Sequence, residues 1–494
     1  MTLPFSAPAG LYIGGRWEAP QGARFEDVIN PATEGVIGRA PVGSVAEAEA
    51  AIAAARQAFD SGAWATLPAK GRQAFLTRFL DAIDARKETI IALTIAEAGA
   101  TAGQARGMYF LLPMKHARTT VDLMTRDPVT AYSPDMTPQA DGSTVLGVSL
   151  GVREPVGVVG AITAYNAPFF LNLAKVIPAL ATGCTIVLKP SPFTPLAALI
   201  LGEIADEVGL PKGVLNIING GAEVGEALTT DPRVDLITFT GSDRVGSLIQ
   251  AQAARTLKRV VMELGGKSAM IVRPDADLDV AARVGVSQFT VHCGQGCSLT
   301  TRQIVHNSVR AEYVARLAAL IKGLKVGDPA DPSTGMGPLI REVARQRTEA
   351  YVQAAQDEGA TLVAGGHRPE GLKKGYFYAP TLFDNVRNDH RVAREEIFGP
   401  VGVVIGYDDD EDAIVIANES DYGLGGGIFS RDAGKAYQMA LRVRTGSISI
   451  NGGSGTMSSH APFGGVKRSG HGREYGLDGL NEFTYVKTIA FHAG

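Results

Sequence analysis

Three side chains in this 494-residue sequence stand where covalent chemistry would need them: the thiol of Cys297, the carboxylate of Glu263 and the carboxamide of Asn166. Cys297 closes the run His292-Cys293-Gly294-Gln295-Gly296-Cys297. A cysteine after a glycine-bracketed turn, at the start of a helix, would meet the positive end of the helix dipole, which lowers the thiol pKa and makes a nucleophile. A small buried hydrophobe is the structural alternative. Glu263 ends an apolar strand and precedes Leu264-Gly265-Gly266-Lys267, which puts it at the carboxyl edge of a sheet, where open α/β sheets hold ligands and general bases. Capping of the next turn would account for the same carboxylate. Asn166 falls between an apolar strand and a helix that opens at Pro168, so its amide can donate to a developing oxyanion or cap the helix.

The elements that must position these groups follow from periodicity. Short apolar runs at 156–164, 185–188, 214–218, 236–240 and 260–263 read as strands. Helices fill the gaps, one from Thr194-Pro195 to Gly209 with proline at the first helical position, another from Ser242. Strands buried on both faces with helices between them make a parallel, doubly wound sheet. A second such series runs from Ser268 to about Gly465, with a helix at 311–324 and strands at 303–306 and 401–407. Upstream, Ser44-Val45-Ala46-Glu47 fits a capping box for a helix reaching Phe59, after an opening hairpin near 11–17. The uncharged stretch 155–174 contains Pro155, Gly157, Gly160 and Pro168, so it reads as strand, turn and helix rather than a membrane span. The polar 127–141 precedes an alternating run at 143–152 that looks like an exposed hairpin, and 482–491 is another strand. Exposed strands seek partners, so these are expected to pair across a subunit interface. The segment 470–476, with Arg473 and Glu474, reads as a helix used for packing.

Composition narrows the function. A net charge of -4 gives no electrostatic reason to bind nucleic acid. Glycine supplies 59 residues, well above the usual share of about 7%, as nucleotide-binding turns require. Three cysteines (Cys184, Cys293, Cys297) cannot make a disulfide framework, and the first twenty residues do not form a signal peptide, which together fit a cytoplasmic protein. Cys293 with His292 offers too few soft ligands for a zinc site, so no metal is expected.

Taken together, Glu263-Leu264-Gly265-Gly266-Lys267 and Gly294-Gln295-Gly296-Cys297, with Leu188-Lys189-Pro190-Ser191, Phe239-Thr240-Gly241-Ser242, Glu396-Ile397-Phe398-Gly399-Pro400 and Pro462-Phe463-Gly464-Gly465, resemble the aldehyde dehydrogenase superfamily from Leu11 to about Phe491. The resemblance implies that fold: two doubly wound α/β domains plus a small β element for oligomerisation. It divides the chain into a cofactor-binding domain (1–130 and 151–266), a catalytic domain (267–465) and oligomerisation segments (131–150 and 466–494). It implies oxidation of an aldehyde to its carboxylic acid with NAD or NADP, NAD slightly favoured, by a homodimer or homotetramer. Cys297 would attack the aldehyde, Asn166 and the Cys297 backbone amide would hold the oxyanion, Glu263 would activate water against the thioester, and Lys175 is carried over as a fourth catalytic residue. Without a cofactor, Cys297 and Glu263 would instead suit a thiol esterase.

No G-x-G-x-x-G occurs, so a different loop must approach the pyrophosphate. The resemblance assigns cofactor contacts to Ile162, Thr163, Ala164, Tyr165, Lys189, Ser191, Gly221, Gly225, Phe239, Gly241, Ser242, Val245, Glu263, Leu264, Gly265, Glu396 and Phe398. Lys189 would bind the adenosine ribose and Glu396 the nicotinamide ribose; a solvated strand end and a surface ion pair are the alternatives. NAD-preferring relatives usually carry glutamate three residues after that lysine, where this sequence has Pro192, so NAD against NADP stays open. The pocket wall is expected at Tyr165, Leu171, Ala174, Val291, Met457 and Phe463, and 452–461 contains no Lys, Arg, Asp or Glu. That suits an apolar aliphatic or aromatic aldehyde and leaves a substrate carboxylate unpaired.

Overall fold

The computed structural model describes residue 5, residues 8–453 and residues 458–493. Its first sheet has eight strands in the order Arg16–Glu18, Leu11–Ile13, Leu215–Ile217, Thr185–Lys189, Val158–Ile162, Leu236–Thr240, Arg259–Glu263 and Gly470–His471. The five strands from Leu215–Ile217 to Arg259–Glu263 run parallel, and they lie within a few residues of the apolar runs that predict them. Alternate side chains feed two cores. Val159, Ile186 and Leu188 pack with the helices Ala69–Ala85, Pro168–Thr182 and Leu196–Glu207, while Val158, Val187 and Ile237 pack with Val45–Asp60 and Ala222–Thr230. The capping box at Ser44 and Glu47 forms as its sequence requires. The chain leaves Val158–Ile162 for Thr185–Lys189 on one side and returns to Leu236–Thr240 on the other. A crevice therefore opens beyond Ile162 and Thr240, where doubly wound sheets take their ligands.

The second sheet runs Thr361–Ala364, Thr381–Asp384, Val401–Tyr407, Arg302–His306, Ala269–Val272, Gly426–Phe429 and Ser449–Ile450, parallel except for its first strand. Gly265 to Ser268 carry the chain directly from one sheet to the other. The carboxyl ends of the first sheet thereby meet the amino ends of the second.

Thr144–Pro155 and Thr484–Ala493 pair with each other, antiparallel and within one chain, which puts Thr484–Ala493 at the edge of their sheet. Val129–Ala131 and Asp135–Pro138 complete that four-stranded sheet. The segment 470–476 is no helix: Gly470, Gly472, Tyr475 and Gly476 all have positive φ, which ends any helical run. Gly470–His471 instead adds an edge strand to the first sheet, and the helix is Gly476–Asn481. A further hairpin, Phe25–Ile29 with Val36–Pro41, was not foreseen. Among the described residues no helix is long and apolar enough to cross a membrane.

Candidate active site

Cys297 lies in a turn, not at a helix start. His292, Cys293 and Gly294 have φ of 49°, 55° and 72°, which fold the chain sharply before it extends into Arg302–His306. The helix dipole expected to activate the thiol is therefore missing. Gln295 holds the turn instead: fully buried, it donates from Nε2 to the His292 carbonyl (3.1 Å) and accepts the Ile340 amide (3.0 Å). Close approach also fixes it, since a Cβ on Gly266 would lie 2.5 Å from the Cys297 carbonyl oxygen. Burial, and then the charges of Glu263, Glu396 and Glu474, push the Cys297 thiol up to about 12. Cys293 is wholly buried and its thiol is also pushed up by burial.

Asn166 donates from Nδ2 to the Gln295 carbonyl at 2.9 Å. It caps no helix; Ala167 occupies that position. A carboxamide has two N–H donors, so one is spent on the nucleophile's loop and the second remains for an oxyanion beside Cys297.

Glu263 ends its strand as expected, 3% exposed, and neither carboxylate oxygen has a hydrogen-bond partner among the described residues. Burial and the charge of Glu474 hold its carboxyl well above the usual range, against the opposing pull of Lys175 and Arg473. Lys175 donates to Thr238 Oγ1 (2.9 Å) and to Glu474 Oε1 (2.8 Å), a buried ion pair. Lys175 lowers the Glu263 carboxyl by its own charge and pairs with Glu474, which the sequence reading gave to packing and which the structure brings to the same cavity as Glu263. The density of glycines around Glu474, at 470, 472 and 476, was the available sign that no helix forms there.

Cys297, Glu263, Asn166 and Glu474 line one cavity of about 350 Å³. Leu171, Val291 and Phe463 stand on its wall as predicted, joined by Tyr109, Phe170 and Tyr475. Ala174 does not; it borders a small hollow behind Tyr475, because its helix turns that side chain away. Tyr165 also lies off this wall, edge-on to Phe193 and Phe398. Met457 lies outside the described residues. No Lys or Arg lines the cavity among the described residues, so an anionic substrate tail would have no counter-charge there. The same residues show no group of three or more His, Cys, Asp or Glu side chains that could hold a metal.

The predicted cofactor contacts ring the crevice at the first sheet's carboxyl ends. Ile162, Thr163, Ala164 and Tyr165 leave one strand end, with Thr163 donating to Asn172 Oδ1. Phe239, Gly241 and Ser242 leave the next, and Ser242 Oγ accepts the Val245 amide at the start of Asp243–Ala253. Leu264 packs on Gly246, where a Cβ would meet it at 2.7 Å. Ser191 is buried, and Lys189, only 6% exposed, makes no hydrogen bond to protein among the described residues. Gly221 and Gly225 open the helix Ala222–Thr230, and a Cβ on Gly225 would come 3.8 Å from the Lys189 side chain. Glu396 accepts the Gly266 amide at 3.0 Å and crowds Gly265, where a Cβ would meet its carboxylate at 2.3 Å; burial raises its carboxyl to about 7. Phe398 beside it takes a left-handed φ of 55°. A buried, unpartnered lysine, a helix start with glycine at its mouth and a carboxylate at the far end suit a dinucleotide.

Comparison with known proteins agrees with this geometry. The model of the aldehyde dehydrogenase family matches residues 17–489. A 3-succinoylsemialdehyde-pyridine dehydrogenase from Pseudomonas sp is 40% identical over 486 residues, 98% of each chain. A geranial dehydrogenase from Castellaniella defragrans is 37% identical, covering 97% of this chain and 98% of its own. Among solved structures, a Mycobacterium tuberculosis aldehyde dehydrogenase complexed with NAD+ superposes with a TM-score of 0.92 at 41% identity, over 98% of both chains. A mutant of Pseudomonas syringae aldehyde dehydrogenase C with NAD+ and octanal gives 0.91 at 40% identity, over 98% of this chain and 96% of its own. With nearly every residue matched, from the opening hairpin to the last strand, this chain belongs to the aldehyde dehydrogenase family.

Proposed function

We propose that the chain oxidises apolar aliphatic or aromatic aldehydes to carboxylic acids with a nicotinamide cofactor. The observation that carries this reading is the carboxylate of Glu263, buried without a protein partner in the same apolar cavity as Cys297. A buried polar group left unpaired costs about 1–3 kcal/mol, so its persistence marks a place for a reacting partner. Cys297 gives up its thiol proton to solvent, the thiolate Sγ adds to the aldehyde carbon, and the oxyanion is met by the free N–H of Asn166 and by the Cys297 amide. The cofactor, when bound, supplies the acceptor for the aldehyde's hydride. Glu263 then takes a proton from the water that attacks the thioester, freeing the acid and the thiol. Lys175 and Glu474 set the charge around Glu263.

In this reading the first sheet and its helices hold the cofactor through Lys189, Ser191, Gly221, Gly225, Ser242 and Glu396, while residues 267–465 carry the nucleophile. NAD bound to the solved relatives supports that placement. The exposed sheet formed by 144–155 and 484–493 serves self-association. Octanal in one relative and the geranial named for another are both long and apolar, in keeping with a cavity lacking cations.

An aldehyde panel followed at the reduced-nicotinamide band tests the proposal. kcat/KM should rise at least about tenfold from acetaldehyde to hexanal or benzaldehyde, because each buried methylene contributes about 0.8 kcal/mol. Succinic semialdehyde should be poor. A preference for acetaldehyde, succinic semialdehyde or betaine aldehyde would overturn the substrate class, and ester cleavage without any cofactor reduction would favour a thiol esterase.

A further inference from the structure

The adenosine end of the cradle holds an acceptor that the mechanism leaves unused. Glu223 is the acidic residue in the first turn of Ala222–Thr230, and its carboxylate lies over Gly221, where a Cβ would meet Oε2 at 2.4 Å. Lys189 faces the same turn across Gly225. The lysine is 6% exposed and makes no ion pair or hydrogen bond among the described residues; burial lowers its ammonium to about 8, against the charge of Glu223, which raises it. Three residues beyond the lysine stands Pro192, whose side chain can neither donate nor accept.

We propose that Glu223 selects the cofactor: its carboxylate accepts the ribose hydroxyls beside Lys189 and repels a 2′-phosphate there, so this chain binds NAD in preference to NADP. The proposal rests on the reading that the dinucleotide lies in this cradle. A carboxylate offers two acceptor oxygens to the two hydroxyls of the ribose. A 2′-phosphate removes one of those donors and brings about -1.5 to -2 charges toward a carboxylate. Besides Lys189, Arg24, whose guanidinium reaches Glu223 at 4.0 Å, is a cation that could turn toward a phosphate. The Arg24 and Glu223 side chains are about half exposed, at 54% and 51%, so screening and side-chain entropy leave that pairing weak.

Calorimetric dissociation constants for NAD and NADP, measured on the full-length chain, on Glu223→Gln and on Arg24→Ala, test this. The unaltered chain should bind NAD at least about tenfold more tightly, a difference of about 1.4 kcal/mol. Glu223→Gln should bring the ratio within about threefold, chiefly by strengthening NADP, while Arg24→Ala should leave it within about twofold. Equal or tighter NADP binding by the unaltered chain, an unchanged ratio in Glu223→Gln, or loss of NADP binding in Arg24→Ala alone would overturn the proposal. Failure of both dinucleotides to bind would overturn the placement of the cofactor itself.

Discussion

The Cys297 side chain is half-buried in a turn that no helix follows, and desolvation with the charges of Glu263, Glu396 and Glu474 holds it as a thiol, up to about 12. Well below that value each added pH unit raises the thiolate fraction about tenfold. Alkylation of the cofactor-free protein by iodoacetamide should therefore accelerate about tenfold per unit from pH 7 to 9, and Cys297→Ala should abolish it, since Cys184 and Cys293 are fully buried. A rate already flat from pH 7 would show an ionised thiol. Residue types were legible in the sequence at this scale and their electrostatics were not. The motifs located Cys297, Glu263 and Asn166, but the charge at Glu263 depends on Glu474, which reaches Lys175 from 299 positions away.

Elements followed the sequence where an apolar run had turn signals at both ends. Thr185–Lys189 and Leu236–Thr240 are buried at every position and were plain. The hairpin Phe25–Ile29 with Val36–Pro41 was not, because only Val28 of FEDVI is buried and its polar residues hide the period. Pairing partners were also beyond reach, since nothing local in Thr484–Ala493 names Thr144–Pro155. Another distant contact positions the helix after Lys189. Glu97, fully buried, accepts the amides of Leu196 (3.0 Å) and Ala197 (3.2 Å), and burial raises its carboxyl to about 8 despite those bonds. A carboxyl whose folded pKa lies above its unfolded one holds its proton more tightly when folded, so its contribution to stability falls as pH rises from about 4.5 to about 8. Glu97→Gln, still an acceptor, should flatten the fall in thermal midpoint over that window. Glu97→Ala should cost about 1–3 kcal/mol by leaving two amides unpaired. Equal midpoints for all three at pH 6 would exclude this role for Glu97.

At the scale of the molecule, the outer sheet leaves Thr484–Ala493 as an edge strand with Tyr485, Val486, Ile489 and Phe491 exposed. A long apolar edge invites a partner, and a second copy is the partner always at hand. Light scattering at micromolar concentration should give two or four times 51.8 kDa, and Ile489→Lys should lower it. A monomer would contradict this assignment of the sheet. The same meeting of distant parts makes the site, with the ends of first-sheet strands contributing Glu263 and Asn166, and a turn between two strands of the second contributing Cys297. In the proposed reaction Cys297 carries the acyl group and Glu263 releases it. The most direct test mixes Glu263→Gln with NAD and hexanal and follows reduced cofactor alongside intact mass. A burst of one reduced cofactor per site should appear, with little turnover thereafter and one acyl group retained on Cys297. Full steady-state turnover in this variant, or neither a burst nor an acyl adduct, would contradict these roles.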